Sequence, residues 1–256
     1  MTPAWSSKFE LKPGTWVFVP TEACVKVGRE LKLELEQKWH VPEFYFHLRA
    51  GGHVKALQAH LTSSFFARLD IRDFFGSINK SRVTRCLKNI FPYPMAREMA
   101  NLSTVLHPVN RKSILPFGFV QSPILASLSL HQSALGQHLE KLSKRKDIIV
   151  SVYVDDIILS SDSELLLTEV LAEIKSRALR AGFNLNADKE SAPGPQVTAF
   201  NIELSNAAMA IEPRRWAQFV SSFLETDNEH VRCGIQTYVS SVNPAHSAQL
   251  DLAARP

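Results

Sequence analysis

Apolar residues recur along this chain at two spacings, every second position in some stretches and every third or fourth in others. From Ser64 to Ile71, Phe65, Ala67, Leu69 and Ile71 fall on one face and Phe66, Arg68 and Asp70 on the other. That is the period of a strand, and it delivers Asp70 at its end. Ile148–Tyr153 and Ile157–Ser161 are two β-rich runs around Val154-Asp155-Asp156, which predicts a hairpin with an acidic tip. Helical spacing begins after Asn79 (Val83, Leu87, Ile90), with Pro92 and Pro94 as its stop. A second helix is predicted over Pro123–Leu142, with Leu128, Leu135, Leu139 and Leu142 as its stripe. A third starts from a capping box of Ser161 and Glu164 and ends at Gly182. Short strands follow near Asn184–Leu185 and Val197–Leu204. Two closing helices carry Trp216, Phe219, Val220 and Phe223, then Val231, Ile235, Tyr238 and Val239, with Pro244 ending the last. Nearer the start, Phe44–Leu48, Gly51-Gly52 and Val54–Leu57 read as a hairpin or a strand–turn–helix. The order describes an α+β domain with an antiparallel sheet.

Composition narrows the picture only a little. The 256 residues are 45% hydrophobic and 21% charged, ordinary for one large or two-lobed globular unit. No apolar run approaches a bilayer span and the N-terminus lacks a signal-peptide layout, so a cytoplasmic protein without membrane contact is expected. Cys24, Cys86 and Cys233 are far apart and lack ligand spacing, which suits reduced, mostly buried thiols. A net charge of +4 and pI near 9.0 permit nucleic acid without requiring it. The basic clusters at Lys141–Lys146 and Arg214-Arg215 read as solvated helix ends. His53 and His60 read as ordinary polar residues.

The acidic residues change the picture more. Adjacent carboxylates at Asp155 and Asp156 repel each other unless a cation sits beside them. A solvent-exposed acidic turn is the plain alternative. Against it, the flanking strands are apolar, and a third aspartate, Asp70, ends another buried-looking strand. Phosphoryl transfer from a nucleoside triphosphate requires positioning and charge neutralisation rather than covalent chemistry. Two divalent cations on hard oxygen ligands provide both, and Mg²⁺ fits, with Mn²⁺ also accepted.

Four motifs, in order, resemble those of reverse transcriptases. Asp70-Ile71-Arg72-Asp73-Phe74-Phe75 resembles motif A, and Leu115-Pro116-Phe117-Gly118 through Ser122-Pro123 is similar to motif B. Tyr153-Val154-Asp155-Asp156 resembles motif C, and Gly182 through Lys189 motif D. The resemblance implies a right-hand polymerase with fingers (1–69), an antiparallel-sheet palm (70–204, with a fingers-associated segment about 80–122) and a short helical thumb (205–256). It implies Asp70, Asp155 and Asp156 as metal ligands, with the Ile71 carbonyl as a backbone ligand. Phe75 would be the steric gate against a ribose 2′-hydroxyl, and Lys189 would protonate the leaving pyrophosphate. Phe117, Gly118, Gln121 and Arg49 are the remaining nucleotide-contact candidates.

The chain departs from the family in carrying Phe117 where motif B normally has glutamine. Val197-Thr198-Ala199 is similar to the Val-Thr-Gly of retron enzymes except in its third residue. These departures, and the ending Gly234–Pro244, resemble bacterial phage-defence and abortive-infection reverse transcriptases more than other branches. The resemblance implies an RNA-directed DNA polymerase in antiviral defence, acting on deoxynucleoside triphosphates with an RNA template and a DNA product. With no room after Pro256 for an RNase H, maturase or integrase domain, a dedicated non-coding RNA, a second subunit or self-association is expected to complete the groove. Two alternatives stay open: untemplated or protein-primed DNA synthesis by the same site, and an inactive RNA-binding scaffold.

Overall fold

The computed structural model describes residues 4–253. Strands β1 (Trp5–Lys12) and β2 (Thr15–Pro20) form an antiparallel hairpin, followed by helix α1 (Glu22–Lys38), capped by Thr21. Helix α2 (Gly52–Gln58) leads to strand β3 (Phe65–Asp70), then helices α3 (Lys80–Leu87) and α4 (Tyr93–Ser103). A two-stranded ribbon, β4 (Val105–Leu106) and β5 (Ser113–Ile114), precedes helices α5 (Ser122–His131) and α6 (Ala134–Ser143). Next come the hairpin β6 (Ile149–Tyr153) and β7 (Asp156–Ser161), helix α7 (Glu164–Arg180) and strand β8 (Ser191–Gly194). Strands β9 (Gln196–Ala199), β10 (Ile202–Ser205) and β11 (Ala208–Ile211) lead to helices α8 (Pro213–Glu225), α9 (Glu229–Val242) and α10 (Pro244–Ala253).

The central sheet runs β6-β7-β3-β8 and is antiparallel throughout. Because a strand's side chains alternate, β3 serves two cores at once. Ala67, Leu69 and Ile71 join the large core with Leu139 and Ile174 of the helices, whereas Phe66 joins a second core with Ile158, Leu204 and Val239. The second core is closed by the β11-β10-β9 sheet and by α9. Arg68 and Asp70 share the Phe66 face, so the charged end of β3 emerges where the two cores part. Among the described residues no helix is long and apolar enough to cross a membrane.

Several predicted elements differ, each for a local reason. The single helix expected over Pro123–Leu142 is two: Gln132 leaves the helix, and the Ser133 hydroxyl caps α6 by accepting from Gly136 N–H at 3.2 Å. Gly136 is needed there, because a Cβ would lie 2.0 Å from the Leu130 carbonyl oxygen. The cap of α7 is Ser163, accepting from Leu166 N–H, while Ser161 donates to the Asp147 carbonyl. Helix α3 ends at Leu87 and the prolines open α4 instead, Pro92 at its cap and Pro94 in its first turn. Val197–Leu204 is a hairpin, because Phe200 and Asn201 both take left-handed backbone. Leu185 makes a single bridge to Ile71, not a strand. Of the two readings for 44–57, strand–turn–helix is nearer: Tyr45 bridges Val152, a 3₁₀ turn covers Phe46–Leu48, and Gly51 caps α2. A third closing helix, α10, starts at Pro244. Cys24 and Cys86 are buried and Cys233 is exposed, all three free.

Candidate active site

The acidic tip is a two-residue turn. Tyr153 pairs with Asp156 across β6 and β7, leaving Val154 and Asp155 at the bend. Val154 has φ +59°, a left-handed conformation that a β-branched residue resists. Such a residue costs of the order of 1–3 kcal/mol unless its surroundings hold it. Two hydrogen bonds do so. Val154 N–H donates to His47 Nδ1 at 2.9 Å, and Ile71 N–H donates to the Asp155 carbonyl at 2.8 Å. His47 in turn meets Ser127 Oγ on α5 at 2.7 Å, and Ser127 donates to the Pro123 carbonyl. The relay is satisfied when His47 carries its proton on Nε2. Burial pushes the His47 pKa down to about 4, consistent with that neutral form.

Register then gathers the carboxylates. Asp70 lies directly opposite Asp156 in the β3–β7 pairing, and the Ile71–Asp155 hydrogen bond places Asp155 beside them. Asp70, Asp155 and Asp156 each offer an oxygen within 4.8 Å of the others. Three hard oxygen donors this close are a fitting set for a divalent cation. Their electrostatics agree. Burial, then the charge of Asp156, pushes the Asp155 pKa from 3.8 up to about 6. Burial also raises Asp156, against the opposing effect of Arg68.

Two cations of the chain itself meet this cluster. Lys189 Nζ is 2.6 Å from Asp70 Oδ2, and that contact raises the lysine pKa. The segment before it is pinned along motif A, since Arg72 N–H donates to Asn184 O and Asn186 N–H to Asp70 O. Arg68 Nε and Nη2 both reach Asp156 Oδ1, at 2.8 and 2.7 Å.

Phe75 is 7% exposed, and its ring stands edge-on to Phe117 with centroids 4.7 Å apart. Gly118 has φ +101°, and a Cβ there would lie 2.3 Å from the Phe18 carbonyl oxygen. The Phe117 carbonyl accepts from Phe18 N–H at 2.9 Å, so β2 braces the motif B loop. Gln121 does not join this group. It is fully buried, donates to Ser103 Oγ and packs on Gly28 of α1, leaving no surface for a nucleotide. Arg49 pairs with Glu43 at 3.5 Å rather than with an aspartate.

Some functional neighbours escaped the sequence reading. His47 and Arg68 touch the acidic group only through pairings made in the fold. His60, read as an ordinary polar residue, is fully buried between Ser160 Oγ (2.7 Å) and Ser151 Oγ (2.8 Å), tying β6 to β7. His53 meets Tyr238 Oη at 3.2 Å, stands edge-on to Tyr153 and packs at a tilt against Phe200, joining α2, the acidic hairpin and α9.

The chain resembles known proteins in sequence and in fold. The chain is 28% identical over 218 residues to the Retron Mx65 reverse transcriptase of Myxococcus xanthus, covering 77% of this chain. It spans about half (51%) of that relative's length. Among solved structures, apo telomerase from Candida tropicalis matches 90% of this chain and 47% of its own, with TM-score 0.58 and 11% identity. The foamy viral protease-reverse transcriptase in complex with double-stranded DNA matches 90% of this chain and 34% of its own, with TM-score 0.50 and 14% identity. Both likenesses are of fold. Residues 13–196 match the family described as reverse transcriptase (RNA-dependent DNA polymerase), and with that span covered the chain belongs to the reverse transcriptase family.

Proposed function

We propose that this chain extends a primer with deoxynucleotides on an RNA template, with two divalent cations held by Asp70, Asp155 and Asp156. Mg²⁺ is the natural metal in this reading and Mn²⁺ is accepted. The observation that carries it is the convergence of three carboxylates at the joined ends of β3 and the β6–β7 hairpin. Bound cations at such a site supply charge neutralisation for the attacking and departing oxygens.

The chain's own residues supply position. Asp70 and Asp155 would be the principal residues holding the ions, with Asp156 supporting from beside them and the Ile71 carbonyl as a further oxygen ligand. Lys189, held protonated at Asp70, is the proton donor for pyrophosphate. Phe75 is the gate against the ribose 2′-hydroxyl. The Phe117 ring behind it, in place of the usual glutamine, supports that role by limiting how far Phe75 can turn away. Gly118 shapes the same loop, and exposed Arg49 is a triphosphate contact from the fingers. In this reading residues 1–69 are fingers, 70–204 palm with a fingers-associated segment about 80–122, and the remainder thumb. The setting is phage defence in the cytoplasm, with a dedicated non-coding RNA, a second subunit or a second copy completing the groove.

Phe75→Ala tests the gate. Ribonucleotide incorporation should rise relative to deoxynucleotide by at least an order of magnitude, and unchanged sugar discrimination would remove Phe75 from that role. Phe117 also favours a second reading, untemplated or protein-primed synthesis by the same aspartates. Tyr45 is fully buried and unsuited as a protein primer. Product sequencing separates the two: copies of a defined RNA support the first, homopolymer or irregular tracts the second.

A further inference from the structure

We propose that Arg68 is a positioning residue that holds Asp156 in the one orientation Mg²⁺ accepts, and so sets the preference of the site for Mg²⁺ over Mn²⁺. The inference rests on the metal-dependent reading above. Arg68 lies opposite Ile158, two residues along β7 from Asp156, so the two side chains are diagonal neighbours on one face of the sheet. The guanidinium spends its donors in an unusual way. Nε and Nη2 both converge on Asp156 Oδ1, at 2.8 and 2.7 Å, and Nη1 donates to the Thr198 carbonyl of β9 at 3.1 Å. Among the described residues, no hydrogen bond engages Asp156 Oδ2. One carboxylate oxygen is thus fixed by protein and the other left for a cation.

The pair is also largely screened from water, with side-chain exposures of 18% for Arg68 and 11% for Asp156. Asp156 is therefore not free to turn, and the anchor for Arg68 is backbone, which no side-chain motion relaxes. Thr198 stands two residues before the left-handed Phe200-Asn201 turn, so the same guanidinium ties the acidic site to the β9–β10 hairpin. Mg²⁺ demands near-ideal octahedral oxygen geometry, whereas Mn²⁺, larger and with a high-spin d⁵ shell that has no ligand-field preference for one geometry, tolerates a displaced ligand. Losing the clamp should therefore harm Mg²⁺ use selectively. Charge alone predicts otherwise: removing a cation beside three carboxylates should strengthen the binding of both ions.

Arg68→Lys keeps the charge but cannot make two bonds to one oxygen while holding Thr198; Arg68→Gln removes the charge as well. The test is the rise in unfolding temperature of each purified variant with Mg²⁺ alone and with Mn²⁺ alone, followed by deoxynucleotide incorporation in each metal. Both variants should need at least about ten-fold more Mg²⁺ than wild type, with the Mn²⁺ requirement changed less than about three-fold, and Mn²⁺ should rescue incorporation. Equal losses in both metals, no loss in either, or Arg68→Lys behaving as wild type would overturn the proposal. Asp155→Asn, which should lose both metal responses, is the control for the reading beneath it. Wild type that shows the metal response yet incorporates nothing would count against the polymerase reading and leave Arg68 judged on binding.

Discussion

Replacing Asp155 with asparagine should abolish incorporation and yet stabilise the metal-free fold. Burial and the charge of Asp156 lift the Asp155 carboxyl from 3.8 to about 6. At about 1.4 kcal/mol for each tenfold change in proton affinity, keeping it ionised in the fold costs at most about 3 kcal/mol. Its partial exposure and shared field with Asp70 and Lys189 reduce this to about 1–2 kcal/mol. The sign follows from the raised value. Above pH 6 the group is ionised in both folded and unfolded chains, and the full penalty applies. Below about 3.8 it is protonated in both, and none remains. Asparagine removes the penalty, so its advantage is complete above pH 6 and fades toward pH 4. For a chain this size that is roughly 2–6 °C in unfolding temperature. Thermal unfolding in a chelator at pH 7.5 and 4.5 measures it directly. Added Mg²⁺ should then raise wild type and leave the variant unmoved. An unchanged or lower unfolding temperature at pH 7.5, or an advantage persisting undiminished at pH 4.5, would refute the reasoning.

Other perturbations follow from the same contacts. His47→Phe keeps a ring against Tyr153 but leaves Val154 N–H and Ser127 without the imidazole. Stability in urea should fall by about 1–3 kcal/mol and incorporation by at least about tenfold; wild-type values for both would show that the turn holds itself. His60, fully buried with its pKa pushed down to about 3, stays neutral in the fold while the unfolded chain protonates below about 6.5. Urea stability should therefore drop by up to about 1.4 kcal/mol per pH unit as pH falls below 6.5, a slope that His60→Gln should flatten. Gly118→Ala combines a left-handed backbone with a Cβ 2.3 Å from the Phe18 carbonyl oxygen. It should cost more than about 1 kcal/mol and raise the KM for deoxynucleotides, and a neutral result would mean that the β2–loop contact yields freely.

The acidic site was legible because its chemistry is local in sequence. An aspartate closing an alternating strand and an Asp-Asp pair between two β runs mark their own positions, and Lys189 follows Gly182 at motif spacing. What holds these residues is not local. His47 reaches Val154 across 107 positions, and Arg68 reaches Asp156 across 88. Only the β3–β7 register makes Arg68 a neighbour of the acidic turn. The helix break at Gln132-Ser133 was hidden because leucines keep helical spacing through it, and the capping serine is two residues from the one the box pattern selects. Phe200 and Asn201 adopt left-handed backbone without a glycine, so Asn201 alone, between apolar neighbours, marked that hairpin. Gln121 was a nucleotide-contact candidate by its nearness to motif B, but the start of α5 turns it into the packing against α1.

Single-nucleotide addition tests the central claim most directly. Purified protein would be given a primer on RNA templates that differ only at the first templating base, with Mg²⁺ and each deoxynucleotide separately. Wild type should add the complementary deoxynucleotide on each template, and Asp155→Ala should add none. Addition of the same nucleotide whatever the template, addition that survives Asp155→Ala, or no addition by wild type would contradict RNA-directed synthesis at this site.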